Sequence, residues 1–525
     1  MQKQISRRDF LRGTAAGALG VAMSGVLGGG AMTALAYDYD GSAPITDVEG
    51  ATISYLATNS WYSTVDMNKA DVVIAVAENA GVTVDWNLID PTTYTDTVSP
   101  MLAAGTDLAD IIYLPDLDEN QTYINSGMFE PLDDHWDQMP NFKAYLDENP
   151  SIQASLTAQD GHIYYVPIVG LPDNYLPCLM YQTQWLEQIG MEAPDTLDGF
   201  VEMLRAFKEN DMNGDGDASD EIPMSIMSDF LPQMFGWAFG MDLNSGFYAD
   251  DDGVVHYGYY EEEKYKAYLT FLNGLYEEGL LEMEFTSLTR DQITERFANN
   301  MTGVTFDYSW QMSQLYSTQF EDYNADEGGI VVGVPPLSGD YPGYYSGTEA
   351  VKGIFGVNKN ASDLELALRF IDYAMSEECQ TMYAWGIEDL SYTVDEDGNY
   401  AYTEQAIEDN NWLQQVGINP PNLPYHNDAA ATDVLLPTWH VEIDKELATY
   451  SHAPWPFIYA TEEEAEEIQM YLTDIETYVA EMHVKFITGT ESLDNFDQYL
   501  SSLKSMGIEE LLSIKQGQYD RYSGS

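Results

Sequence analysis

The chain has 525 residues, with 88 Asp and Glu against 20 Lys and Arg, a formal net charge of −68 at pH 7. At 45% hydrophobic and 13% aromatic it is too apolar for intrinsic disorder, and its length predicts two or more domains. Nucleic acids and anionic membrane surfaces are held through Lys and Arg, so this scarcity of both excludes them as partners.

The first element is an export signal over residues 1–36. Ser6-Arg7-Arg8-Asp9-Phe10-Leu11-Arg12 matches the twin-arginine pattern, an address for a pathway that carries folded proteins. Gly13 to Ala36 carries no charge and ends in Ala34-Leu35-Ala36, a small-residue cleavage pattern before Tyr37. Cleavage leaves a periplasmic, extracellular or cell-surface protein, the alternative being an uncleaved N-terminal anchor. No Cys stands near the boundary for lipid attachment. The two cysteines, Cys178 and Cys379, read as separately buried thiols, although an exported compartment would permit a bridge.

Strand-like and helix-like segments then alternate. Ala51–Ala57 predicts a strand, Asp71–Ala80 a helix and Val82–Ile89 a strand. Thr93–Ala104 predicts a helix stopped by Gly105, and Leu108–Leu114 a strand stopped by Pro115. Such alternation argues for an α/β domain with a largely parallel sheet, whose ligands sit beyond the carboxyl ends of its strands. That rule makes Asn59, Trp61, Tyr62 and Asp116 candidate ligand contacts. A second region begins at the turn-rich loop Val169–Asn174, where Asp173 and Asn174 are candidates too. A helix capped by Thr196 runs to about Asn210, and Lys264–Glu278 predicts another. Strands are expected at Thr302–Asp307 and Ile330–Val334, a helix at Leu364–Ser376, and a hairpin turn at Asp395–Asn399. Residues 462–522 read as helical with a break at Gly489.

Asp211-Met212-Asn213-Gly214-Asp215-Gly216-Asp217-Ala218-Ser219-Asp220-Glu221 places oxygen donors at alternate positions. An EF-hand loop ligates Ca²⁺ from positions 1, 3, 5, 7 and 12, with Gly at 6 for the sharp turn. Asp211, Asn213 and Asp215 fill positions 1, 3 and 5, Gly216 fills 6, and Asp217 would ligate through its carbonyl. Position 12 is Ile222, so Asp220 or Glu221 must close the shell. A structural Ca²⁺ is the expected cofactor; Mg²⁺, which keeps rigid octahedral shells and its waters, suits the loop less well.

Catalytic motifs are absent from the sequence: there is no G-x-S-x-G, H-E-x-x-H, Walker loop or dinucleotide fingerprint. Aromatic residues in loops suit the apolar faces of sugars instead. Candidates are Trp61, Tyr62, Tyr175, Trp237, Tyr308, Trp310, Tyr344, Tyr345, Trp385, Trp439 and Trp455, with Asp307-Tyr308-Ser309-Trp310 and Trp61-Tyr62 best placed.

Several stretches together resemble the extracellular solute-binding proteins of ABC transporters, in the large carbohydrate-binding group with a built-in calcium loop that includes alginate-oligosaccharide-binding proteins and related lipoproteins. They are Ala103–Ile112, Asp160–Pro167, Trp185–Gly190, Pro194–Asp211 leading into the calcium loop and Glu221-Ile222-Pro223, Leu275–Leu280, and Lys485–Gly489 with Tyr519–Tyr522. The resemblance implies a two-lobe, type II periplasmic-binding-protein fold with a multi-strand hinge. Residues 46–168 with 333–380 are expected in one lobe, and 169–332 with 381–525 in the other. It further implies a monomer that captures an oligosaccharide or other small neutral ligand and hands it to a membrane permease without enzymatic turnover. Trp310 matches the usual sugar platform and Trp439 is a weaker match. Two departures stand out: Gln182-Thr183-Gln184-Trp185-Leu186 lacks the group's Arg, and Asp389 replaces its second Gly after Gly386-Ile387-Glu388. The alternative reading is a secreted, calcium-stabilised polysaccharide hydrolase or lyase, which would need a carboxylate pair across a cleft.

Overall fold

The computed structural model describes residues 37–59, 65–106, 108–114, 121–170, 176–348 and 350–524, so the export signal lies outside the described residues. Contacts divide the chain into Met1–Asp38 and Tyr39–Ser525. Among the described residues no helix is long and apolar enough to cross a membrane.

The first sheet starts with β1 (Thr52–Thr58), and the helix Asp71–Ala80 returns the chain to β2 (Thr83–Ile89). That helix buries Val72, Val73, Val76 and Ala80 along one face and stops at Gly81. A second helix, Tyr94–Ala104, leads to β3 (Ile111–Leu114), and three more precede β4 (Tyr165–Val169). The chain then crosses to a second sheet. There it lays down β5 (Pro177–Gln182), β6 (Ile222–Met224), the hairpin β7 (Phe247–Ala249) and β8 (Val255–Tyr257), then β9 (Thr302–Tyr308) and β10 (Val331–Gly333). After the short β11 (Tyr345–Ser346) it returns to the first sheet as β12 (Val351–Val357). A hairpin, β13 (Tyr392–Val394) and β14 (Tyr400–Tyr402), follows, and β15 (Ser451–His452) pairs in parallel with β11.

The first sheet has the order β2-β1-β3-β12-β4. β1 is parallel to β2 and β3, as expected, whereas β12 is antiparallel to β3 and β4. The reversal follows from the path, because β12 enters at the edge where β3 and β4 end. β12 also lies close under its neighbours: a Cβ on Gly356 would meet the Phe129 ring at 2.4 Å. The second sheet, β10-β5-β9-β6, is antiparallel except for the β6–β9 pair. Its core includes Phe200, Met203, Leu204 and Phe207 from the helix Leu197–Glu209, each burial contributing about 1.5–3 kcal/mol.

Asp110, in one of the stretches that resemble solute-binding proteins, ties the first sheet together. Its carboxylate accepts from the Ser54 and Ser362 amides at 2.9 and 2.7 Å. One stretch departs from the expected division. Residues 381–433, expected beside the second sheet, pack with the first: the helices Glu377–Trp385 and Asn410–Val416 both contact Asp71–Ala80. His426 bridges to Val169 at the end of β4. The helix Thr438–Leu447, by contrast, contacts β10 in the second sheet.

Candidate functional site

The connectors between the sheets define which strand ends face one another. β4 ends at Val169 and β5 begins at Pro177; β10 ends at Gly333 and β12 begins at Val351. Pairing places Leu114 beside Ile354, three residues into β12, and Tyr308 beside Pro177. The facing edges therefore carry the carboxyl ends of β1 and β3 on one side and that of β9 on the other. A third stretch also runs between the two halves: the Trp455 amide approaches Ser245 Oγ at 3.5 Å, and the Tyr459 carbonyl accepts from Gln159 Nε2 at 2.8 Å.

At the β9 end, Asp307 is fully buried and Tyr308 is 42% exposed. Arg290, at the start of the helix Arg290–Ala298, donates from Nε and Nη2 to Asp307 Oδ2 and Oδ1 at 2.6 and 2.7 Å. The Tyr316 hydroxyl adds a bond to Oδ2 at 2.7 Å. The carboxylate raises the guanidinium pKa still further, while burial raises that of Tyr308. Tyr308 stands edge-on to Phe230, ring centroids 5.9 Å apart, and Trp310 follows, half-buried.

At the β1 end, Asn59 is used as a clasp. Its side chain donates to the Val65 carbonyl at 2.8 Å and accepts from the Met67 amide at 3.1 Å. Beside this clasp a cavity of about 410 Å³ is lined by Val65, Asp66, Lys69, Asp71, Trp412, Gln415 and Val416. That volume falls in the ordinary range for small-ligand sites. Sequence reasoning missed Trp412 and Gln415, because nothing local shows that residues 410–416 return to the start of the helix Asp71–Ala80.

The other expected contacts separate. Trp61, Tyr62, Asp116, Asp173, Asn174 and Tyr175 lie outside the described residues. Tyr345 is a core residue: its ring is fully buried and its hydroxyl bonds the Val334 carbonyl and the Leu179 amide at 2.6 and 3.1 Å. Trp385 is buried in a satellite core with Tyr392 and Tyr402. Trp439 packs on Gly329, before β10. β10 begins opposite Gln182, so Trp439 stands toward the end of the second sheet opposite Tyr308. Trp455 is partly buried against the second core. Trp237 and Tyr344 do come together around His452, Trp237 lying 4.0 Å from the imidazole between centroids.

The acidic loop joins the helix Leu197–Glu209 to β6. Asp211 accepts from the Gly214 and Gly216 amides at 2.7 and 2.9 Å, Asn213 from Asp215 at 2.9 Å, and Asp215 from Asp217 at 2.8 Å. Gly216 has φ +98°, the left-handed backbone that a sharp turn at position 6 demands. The Ser219 hydroxyl and amide hold the Asp217 carboxyl below its usual range. Glu221 is buried, and its Oε1 accepts from the Met212 amide at 2.7 Å. Its Oε2 is buried with no hydrogen-bond partner, whereas Asp220 lies 3.4 Å from Asn213 Nδ2. Among the described residues no three His, Cys, Asp or Glu side chains gather as a ready metal cluster. The donor set still suits a hard cation, since Asn213 and the Asp217 carbonyl supply oxygens beyond the carboxylates and Glu221 keeps an orphaned one.

A model of the bacterial extracellular solute-binding protein family matches residues 72–393, and one for twin-arginine translocation signals matches residues 4–24. The chain is similar to the fructooligosaccharide ABC transporter substrate-binding protein FusA of Streptococcus pneumoniae, with 26% identity over 515 residues and 91% of each chain covered. In fold it is similar to the alginate-binding protein AlgQ2 without calcium ion, at TM-score 0.75 and 20% identity, covering 91% of this chain and 100% of the other. A FusA EF-hand mutant in complex with fructo-nystose gives TM-score 0.74 and 23% identity, covering 90% and 99%. The fold is thus the two-lobe α/β arrangement of substrate-binding proteins.

Proposed function

The chain belongs to the family of bacterial extracellular solute-binding proteins and carries a twin-arginine export signal, and we propose that its solute is a neutral oligosaccharide, held between the lobes and delivered to an ABC importer. The observation that carries this reading is Tyr308, an exposed ring braced by Phe230 at an edge that faces the other lobe. An aromatic face backed by fixed polar groups suits sugar rings, which pair apolar C–H faces with a rim of hydroxyls. Beside the Asn59 clasp at the end of β1, the Trp412 cavity offers an indole, an amide and carboxylates for further sugar units. Binding proceeds without turnover.

Ca²⁺ is proposed as a structural ion held by Asp211, Asn213, Asp215, the Asp217 carbonyl and Glu221. The inward turn of Glu221 and its orphaned oxygen favour it over Asp220 as the closing ligand.

The test is a thermal-shift screen of the purified protein against neutral trisaccharides (kestose, maltotriose, xylotriose) and anionic ones (trigalacturonate, alginate trimer), followed by calorimetry and chromatography of the incubated glycans. A neutral glycan should raise the melting temperature and emerge intact. Absence of any neutral binder, or release of cleavage products, defeats the reading, and cleavage would favour the hydrolase or lyase instead.

A further inference from the structure

The Arg290–Asp307 pair holds more than charge balance requires. A guanidinium carries five N–H donors in a fixed plane. Asp307 takes two of them, through Nε and Nη2, at 2.6 and 2.7 Å. The carboxylate is itself fully buried and further satisfied by the Tyr316 hydroxyl at 2.7 Å and the Tyr308 amide at 2.8 Å. The fork is therefore locked in one plane, yet the Arg290 side chain remains 38% exposed. Even with a further side-chain hydrogen bond to Tyr316, the five donors are not all used within the cluster. Arg290 thus stands at the carboxyl end of β9 with Asp307, and the exposed Tyr308 follows as the next residue of that strand end.

We propose that Arg290 is a specificity-determining ligand contact, whose free N–H groups donate to hydroxyl or ring oxygens of a sugar lying on Tyr308. This rests on the oligosaccharide reading and sharpens it in two ways. Asp307 has already neutralised the guanidinium, so the pair offers directed hydrogen bonds without a net attraction for anions. The lock also settles the orientation before binding, so the ligand does not have to order a long side chain. The class selected is neutral and hydroxyl-rich, with an apolar face.

The experiment compares the full mature chain with Arg290→Lys and with the double variant Arg290→Gln/Asp307→Asn, using kestose, maltotriose and xylotriose as calorimetric probes. Lys keeps the ion pair with Asp307 but loses the planar fork. The double variant replaces the buried ion pair by two amides and leaves no uncompensated carboxylate. Both should retain the native circular dichroism spectrum. Affinity for whichever trisaccharide the wild type binds tightest should fall ~10- to 100-fold, the range for a hydrogen bond to a charged group. If Arg290→Lys fails to fold, the double variant decides. Affinity within twofold of wild type in a folded variant overturns the proposal and leaves Arg290 as structural support, with the oligosaccharide reading intact. If the wild type binds none of the probes, the oligosaccharide reading fails first and the proposal with it.

Discussion

Asp372 offers the cleanest test of the energetics. It lies in the helix Leu364–Tyr373, fully buried, and joins three separate pieces of chain. Oδ2 accepts from the Tyr39 hydroxyl and Asn141 Nδ2, and Oδ1 from the Phe142 amide, all at 2.9 Å. Burial outweighs these donors and pushes its pKa from 3.8 to about 7. The folded protein therefore keeps the proton that the unfolded chain releases near pH 4. Stability from this group is fully present below about pH 4 and is lost as pH rises toward 7. Each pH unit between the two pKa values corresponds to about 1.4 kcal/mol, so the loss amounts to roughly 4 kcal/mol. Asp372→Asn cannot titrate. Urea unfolding of both proteins from pH 4.5 to 8 should show the variant gaining on wild type by up to that amount as pH rises. Any pH-independent part of the difference would report how well the amide fits. Parallel profiles across the range would refute the reasoning.

Other expectations follow from single sites. Burial lowers the His483 pKa to about 4, with Nδ1 2.9 Å from the Tyr265 hydroxyl. The unfolded chain protonates first, so this contribution is present above about pH 6.5 and is lost as pH falls toward 4, by roughly 3 kcal/mol; His483→Gln should flatten that limb of the urea-stability curve. Saturating Ca²⁺ at a hundredfold its Kd should add about 2.7 kcal/mol. Chelator should then lower the melting temperature by several degrees, and Asp215→Ala should abolish that response; a wild type indifferent to chelator removes calcium from the account. Cys178 and Cys379 are buried and unbridged, and burial raises their thiols, Cys379 to about 12. Thiol reagent at pH 8 should find neither in the native protein and both after denaturation.

Local chemistry was legible wherever a strong period or a stop signal occurred. The helix Asp71–Ala80 follows its apolar spacing and ends at Gly81 in the left-handed region. Thr196 caps its helix through Oγ1 to the Gly199 amide, and β13 and β14 flank the Asp395–Asn399 turn. β4, β5 and β12 were not read as strands. Their residues are almost all buried on both faces, so no alternation marks them. The same limit applies to the site. Tyr308 and Trp310 were visible because they follow a strand, but whether an aromatic faces solvent or core depends on distant partners, which put Tyr345 and Trp385 inside. Arg290 escaped notice because Asp307 reaches it only through the pairing of β9.

The acid excess bears on the ligand through the few cations that oppose it. A fold shared with both an alginate-binding and a fructooligosaccharide-binding protein leaves ligand charge to be decided by side chains. Here Arg205, Arg290, Arg296 and Arg521 are each paired with Glu278, Asp307, Glu282 and Glu464, and Lys69 at the cavity is paired with Asp66 at 2.6 Å. A polyanion would meet a field set by a net charge of −68, with these cations already engaged by carboxylates. A neutral sugar would not meet that repulsion. On the proposed reading, the scarcity of Lys and Arg would act as a filter on solute charge, and the aromatic residues at the strand ends would supply the sugar-binding surface.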